Sequence, residues 1–281
     1  MLFTLGIKKR NTKQFYEYQN IDNPDYITYI DEDAYQQLHI DIRKNVRKAT
    51  IYKFSEQNPR GNLIYFVLHS EEGSSQEFIL TANWAPFQDY HFIIFAKNNG
   101  LTALKQKYHS GRTLEWIDDL FTKLKSVNYS LFFNSQGAGQ SMDTLHFQLI
   151  KNEFPVFTTL NKTYNNYYPG LIRTNINDWP FEGILARYTQ ETKNEAFKQL
   201  NMEINEWISN PENTFNLLFR IKNDEYREFF FVFRKKGLNY IKGISNGIAG
   251  YEVAGNIIIE NREEYEKFPD NIDEFFLSET P

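Results

Sequence analysis

The chain contains no cysteine. That absence removes disulfides, thiolate nucleophiles and cysteine-ligated zinc from the functions open to it. No run of about 18 consecutive apolar residues occurs, so no segment is expected to cross a membrane as a helix. Positive charge does not dominate either. Lys and Arg number 31 against 36 Asp and Glu, a net charge of −5 with a pI of about 5.7. General nucleic-acid binders are basic, so DNA and RNA are not expected partners, while a small anion at a local site remains open. The largely apolar start, Met1 to Leu5, precedes Lys8, Lys9 and Arg10. That is the reverse of signal-peptide order, and the expectation is a cytoplasmic protein. No carboxylate pair suggests a catalytic metal and no His-x-x-x-His spacing occurs, so no metal is expected. The glycines from Gly243 to Gly250 have neither Walker nor Rossmann spacing and no following Lys-Ser/Thr. No cofactor is expected.

What is present is a globular composition. The chain has 281 residues, 41% hydrophobic, 24% charged and 17% aromatic. That suffices for one large domain or two small ones with a true core. Apolar or alternating runs at Thr50–Phe54, Leu63–His69, Glu77–Ala82 and His91–Ala96 read as strands with turn residues between them. Leu114, Ile117, Leu120, Phe121 and Leu124 recur at helical spacing, giving a helix over about 113–126. Strands are expected at Tyr129–Asn134 and Thr144–Lys151. In the second half, Phe197, Leu200, Ile204, Trp207 and Ile208 mark a helix stopping before Pro211, with Thr192 and Glu195 as a capping box. Strands follow at Phe215–Ile221, Glu228–Arg234 and Gly255–Glu260, then a short helix from Asn261. A weak helical pattern covers Asp33–Lys48. Each half thus holds antiparallel strands and a long helix, a structural duplication within an α+β fold. The expected division is 1–160 and 161–281.

The most informative stretch runs from Asn134 to Gln148. A turn containing Gly137 and Gly139 leads into Thr144-Leu145-His146-Phe147-Gln148. Strand side chains alternate with period two, so Thr144, His146 and Gln148 share one face and Leu145, Phe147 and Leu149 the other. A hydroxyl, an imidazole and an amide then stand beyond a turn rich in backbone N–H groups, an arrangement suited to a phosphate ester attacked by histidine. Asn134, Gln140 and Ser141 would supply neutral donors, and Gly137 and Gly139 would let the backbone approach a phosphate. His39, His69 and His109 carry no motif. Lys235 and Lys236 read as a solvated strand end, and Tyr164 to Tyr168 as a polar-aromatic loop able to stack on a base or sugar.

These residues resemble the transferase branch of the histidine-triad superfamily, which contains galactose-1-phosphate uridylyltransferase, diadenosine-tetraphosphate phosphorylases and GDP-hexose phosphorylases. Leu145-His146-Phe147-Gln148 matches the end of the GDP-hexose phosphorylase signature. Gly139-Gln140 lies six residues before the histidine, as in many triad proteins. Asn83-Trp84-Ala85-Pro86 followed by His91-Phe92-Ile93-Ile94 matches an Asn-x-x-Pro, gap, His-strand pattern. Weaker likenesses are Trp179 to Gly183 and Gly250 to Gly255.

The resemblance implies a HIT-like α+β fold. It also implies a nucleotidyltransferase or phosphorylase working through a nucleotidyl-His146 intermediate on a nucleoside-diphosphate sugar or related conjugate, with a phosphate-type acceptor. Gln148 would donate to a phosphate oxygen, and Asn83 and His91 would adjoin the nucleotide. Many relatives are dimers, so a homodimer is possible. One position departs from the family: Thr144 stands where the first histidine of His-x-His-x-Gln belongs, and its hydroxyl cannot carry charge. A hydrolase or phosphoramidase, and a nucleotide-binding protein without turnover, are the competing readings.

Overall fold

The computed structural model describes residues 6–9, 15–16, 64–69, 75–83, 91–96, 104–124, 129–151, 153–164, 169–222, 226–237 and 247–259. The expected strand at 50–54, the helices at 33–48 and from Asn261, the loop at 165–168 and residues 243–246 of the glycine stretch lie outside these residues. Within them, nine strands form one antiparallel sheet. In chain order they are β3 (Ile64–His69), β4 (Ser75–Ala82), β5 (His91–Ala96), β6 (Ser130–Asn134), β7 (His146–Ile150), β8 (Gly170–Thr174), β9 (Gly183–Tyr188), β10 (Asn213–Ile221) and β11 (Arg227–Lys235). Across the sheet the order is β3-β4-β5-β7-β6-β10-β11-β9-β8. A second sheet of three strands, β12-β1-β2, joins β1 (Gly6–Lys9), β2 (Phe15–Tyr16) and β12 (Asn256–Ile259).

The large sheet is covered on both faces. That explains why β10 and β11 read as near-continuous apolar runs (Phe-Asn-Leu-Leu-Phe and Phe-Phe-Phe-Val-Phe) rather than strict alternation. One face packs under α1 (Thr113–Leu124) and α3 (Lys193–Ile208). There Leu131, Phe133, Leu145, Phe147, Leu149, Phe215, Leu217, Phe219, Phe229 and Phe231 meet Ile117, Phe121, Leu200 and Ile204. The other face takes α2 (Pro155–Thr163) and the short α4 (Gly250–Val253), with Phe132, Leu218, Phe230 and Val232 against Phe157, Leu160, Tyr251 and Val253. Full burial of one such large side chain is worth roughly 1.5–3 kcal/mol, so the two faces carry most of the fold's stability. Buried Asp118 of α1 adds a polar tie to β9, β11 and α3. It accepts from Tyr188 Oη at 2.9 Å and Arg227 at 2.7 Å, and Lys193 Nζ lies 2.7 Å away.

The helix α1 ends at Leu124 and α3 begins at Lys193, four residues before its first buried aromatic. The expected capping box is absent. Thr192 sits at the N-cap, but its hydroxyl accepts from the Thr189 N–H at 2.9 Å and makes no bond to the helix. Helix α2 has no counterpart among the sequence expectations, although Pro155 opens it in the position proline favours.

Candidate active site

The alternation in β7 places Leu145, Phe147 and Leu149 in the core, as the sequence implied, and leaves Thr144, His146 and Gln148 on the opposite face. On that face of neighbouring β5 lie His91, Ile93 and Phe95, through the pairs Ile93↔Gln148 and Phe95↔His146. Ile93 and Phe95 form a small apolar patch with Met142 from the glycine turn.

The His146 ring is oriented by the backbone of its own strand. Its Nδ1 lies 2.8 Å from the Thr144 carbonyl oxygen. A carbonyl only accepts, so Nδ1 carries the proton and Nε2 keeps its lone pair. Among the described residues, Nε2 makes no hydrogen bond. Burial pulls the ring's pKa below its ordinary 6.5, outweighing the upward pull of the Thr144 carbonyl. The imidazole is therefore neutral at pH 7, the form able to attack. Thr144 departs from the family pattern in its side chain, whereas its main chain does the tautomer-fixing.

Gln148 is also oriented. His91 Nε2 donates to Gln148 Oε1 at 2.7 Å, and the Asn83 amide nitrogen lies 2.9 Å from the same ring nitrogen. His91 is fully buried and Asn83 nearly so. With its oxygen engaged from behind, the Gln148 amide is left with its NH2 group to offer. His91 thus stands directly behind Gln148, with the Asn83 side chain beside its ring.

The turn between β6 and β7 is fixed at both ends. At its entry, Ser135 Oγ donates to the Phe215 carbonyl at 2.8 Å and accepts from the Phe215 N–H at 2.9 Å. Thr214 Oγ1 lies 2.6 Å from Ser135 Oγ and donates to the Gln136 carbonyl. Further along, Gly137 (φ 87°) and Gly139 (φ 84°) adopt left-handed backbone. A Cβ on Gly139 would come within 2.6 Å of the Ala249 Cβ, so only glycine fits there. The N–H groups of Gly139, Gln140 and Ser141 make no hydrogen bond among the described residues. Gln140 Nε2 donates to Asp143 at 3.1 Å, while its buried Oε1 has no partner.

Asn134, expected to supply a donor to phosphate, is engaged within the protein. Its Oδ1 accepts from the Gly250 N–H at 2.9 Å and from Asn216 Nδ2 at 2.8 Å, and its Nδ2 donates to the Gly139 carbonyl at 3.2 Å. The amide braces the turn against α4. Asn216 continues the chain to buried Arg234, which donates to Asn216 Oδ1 at 2.7 Å and lies over the Phe181 ring. Burial lowers Arg234 to about 10, partly offset by Glu252. Burial also raises Glu252 to about 7, opposed by the Ala249 N–H it accepts. Neither residue was singled out from sequence. Lys236 packs its stem on Gly137 and remains exposed. His109 stands apart, against Trp116. No group of three or more potential metal ligands occurs among the described residues, and none of their helices is long and apolar enough to cross a membrane.

The fold has solved counterparts. A structure of yeast Ap4A phosphorylase Apa2 with AMP superposes with a TM-score of 0.54 at 12% identity, over 89% of this chain and 96% of that one. The Ap4A complex of the same enzyme gives 0.54 at 13% identity, over 88% and 97%. A third Apa2 structure gives 0.51 at 14% identity, over 88% and 94%. No protein-family model matches the chain, and no curated protein matches its sequence. The chain has the HIT-like α+β fold of these phosphorylase structures, a likeness that does not single out the GDP-hexose branch.

Proposed function

We propose that this protein is a nucleotidyltransferase or phosphorylase whose His146 carries the nucleotidyl group between a nucleotide conjugate and a phosphate-type acceptor. The observation that carries the reading is the orientation of His146: Nδ1 held by the Thr144 carbonyl, Nε2 unpaired, and the ring neutral. In the first step the Nε2 lone pair forms a bond to the α-phosphorus. The bond from that phosphorus to the bridging oxygen breaks, and the departing phosphate keeps the electron pair. Nδ1–H stays on the Thr144 carbonyl while the ring bears positive charge. In the second step an acceptor oxygen attacks the same phosphorus and Nε2 recovers its pair. The Gln148 NH2 and the N–H groups of the turn would stabilise phosphate charge in both steps. Because the Nδ1 partner is a main-chain carbonyl, threonine at 144 leaves this machinery intact.

The substrate follows from two likenesses. Leu145 to Gln148 match the GDP-hexose phosphorylases, which favours a nucleoside-diphosphate sugar. The fold neighbours were solved with AMP and Ap4A, which favours a dinucleoside polyphosphate. Both share the α-phosphorus chemistry. The test is intact-protein mass spectrometry after incubation with NDP-sugars and dinucleoside polyphosphates, with free products assayed in the same tubes. A mass gain of one nucleoside monophosphate, absent in His146→Ala, supports the reading and names the base. Products released to water without phosphate or sugar phosphate would assign the hydrolase alternative. Nucleotide binding with neither adduct nor product would leave a binding protein on this fold.

A further inference from the structure

Strands β6 and β7 pair only through Ser130↔Ile150, Leu131↔Leu149 and Phe132↔Gln148. Two residues further in the same register, Asn134 would stand opposite His146. That pair is missing, and the side-chain amide of Gln106 occupies its place. The His146 N–H donates to Gln106 Oε1 at 2.7 Å. Gln106 Nε2 donates to the Asn134 carbonyl at 2.8 Å and to the His146 carbonyl at 3.1 Å. The amide thus does the work of a peptide group inserted between two strands. Gln106 is only 2% exposed. Its backbone is fastened too: its N–H donates to the Asp143 carbonyl at 2.7 Å, Lys105 bridges Thr144, and the Leu145 N–H donates to the Leu104 carbonyl at 2.7 Å. Residues 104–106 are therefore paired along residues 143–145, the segment that leads into the histidine.

We propose that Gln106 is a positioning residue for His146: a wedge that parts β6 from β7, lets the glycine turn leave the sheet, and fixes the main chain from which the imidazole projects. The inference rests on His146 as the attacking group. Both main-chain bonds of His146 on the β6 side go to this one amide, so Gln106 fixes the N–H end of the peptide preceding His146, whose carbonyl end accepts from the Ala96 N–H at 3.0 Å. That peptide carbonyl belongs to Leu145, and the next one back, from Thr144, holds Nδ1. A rotated peptide would move the ring off its carbonyl. Loss of the amide would also leave a buried N–H and two carbonyls without a partner.

The test uses full-length protein with 15N-labelled histidine and two-bond 1H–15N spectra, His146 being assigned by its loss in His146→Ala. Wild type should show His146 as the Nδ1–H tautomer alone. Gln106→Met keeps the volume and removes the amide. It should show a mixture of tautomers and form the nucleotidyl adduct roughly 10–100-fold more slowly, with KM within about twofold, as expected when an aligned group is displaced slightly. Gln106→Leu removes the amide in a different shape and should give the same mixture of tautomers; it serves if the Met variant does not fold. Asp118→Asn, weakened at a distant ion cluster, should keep the single tautomer. A folded Gln106→Met with one Nδ1–H tautomer and the wild-type rate would overturn the proposal. The tautomer measurement needs no substrate, so it decides the role of Gln106 even if the wild type forms no adduct.

Discussion

Strands β5, β6 and β7 lie on one side of the β6–β10 seam, and β9, β10 and β11 on the other, in mirrored order. Each set is laid down as strand, long helix, strand, strand. The seam pairs Ser130–Asn134 with Asn216–Arg220, so its midpoint is Phe132 opposite Leu218. Turning one half onto the other about that midpoint, through the ladders of each half, lays Asn134 on Arg220, His146 on Glu228 and Phe95 on Arg187. The two places have opposite contents. Where the first half has a neutral ring with a free lone pair, the second has an ionised knot. Glu228, fully buried, takes Arg187 Nε at 2.8 Å and Arg220 Nε at 2.8 Å. Glu153 and Asn161, the latter on α2, close the knot from above through Arg220 and Arg187. Burial works to raise the Glu228 carboxyl, and the two arginines overcome it and hold it below the usual range. Every charge there is spent on another charge. Equivalent scaffold positions can thus hold a neutral ring with one nitrogen unbonded among the described residues, or a fully paired ionic clasp.

The sharpest way to break the comparison is Glu228→Ala. It strands two buried arginines, and unfolding in denaturant should show a loss of about 3–5 kcal/mol, with the activity of the remaining folded protein unchanged. An effect under about 1 kcal/mol would mean the knot is not a clasp. On the reactive side, Gln148→Ala should slow adduct formation about a hundredfold, or ~3 kcal/mol in the barrier, if its NH2 meets the phosphate in the transition state. Stopped-flow or quench measurements on the single turnover decide this. A smaller contrast concerns two left-handed glycines. Gly139→Ala meets Ala249 and should cost about 2–3 kcal/mol, whereas Gly237→Ala, with nothing within 4 Å, should cost about 1 kcal/mol. Equal losses would show that α4 does not press on the turn.

The pH dependence should be the mildest effect. His146 is held below 6.5 by burial, so adduct formation should be flat near pH 7 and fall only at a midpoint below 6.5. The same lowered value means the unfolded chain binds the proton first. The ring's stability contribution is therefore present above the unfolded value and lost as pH falls through the folded one. A midpoint above 6.5 would contradict the buried neutral ring.

Much of the fold was legible because its strands are either alternating or apolar throughout. β5, β10 and β11 and both long helices stand within a few residues of the expected bounds. Helix α2 was missed because three buried residues, Val156, Phe157 and Leu160, are too few to show a period. Edge strand β8 was missed because its apolar content is only Leu171 and Ile172. At the site, the face shared by Thr144, His146 and Gln148 follows from period two alone. Gln106 leaves no such mark: it sits in an irregular segment, and its partners lie 28 and 40 residues away. The bracing of Asn134 was illegible for the same reason, since the N–H that claims its amide oxygen lies 116 residues on.

That last separation has a consequence for the order of events during synthesis. The glycine turn is closed by Ala249 and Gly250, after every strand of the large sheet has been made. Contacts so distant in sequence form late, because loop closure must be met before they contribute. A nascent chain that has already paired β5, β6 and β7 therefore displays the histidine but not the finished cradle around it. The cradle would be completed abruptly near the end of folding, and a chain stalled before residue 250 would hold His146 beside an unbraced turn.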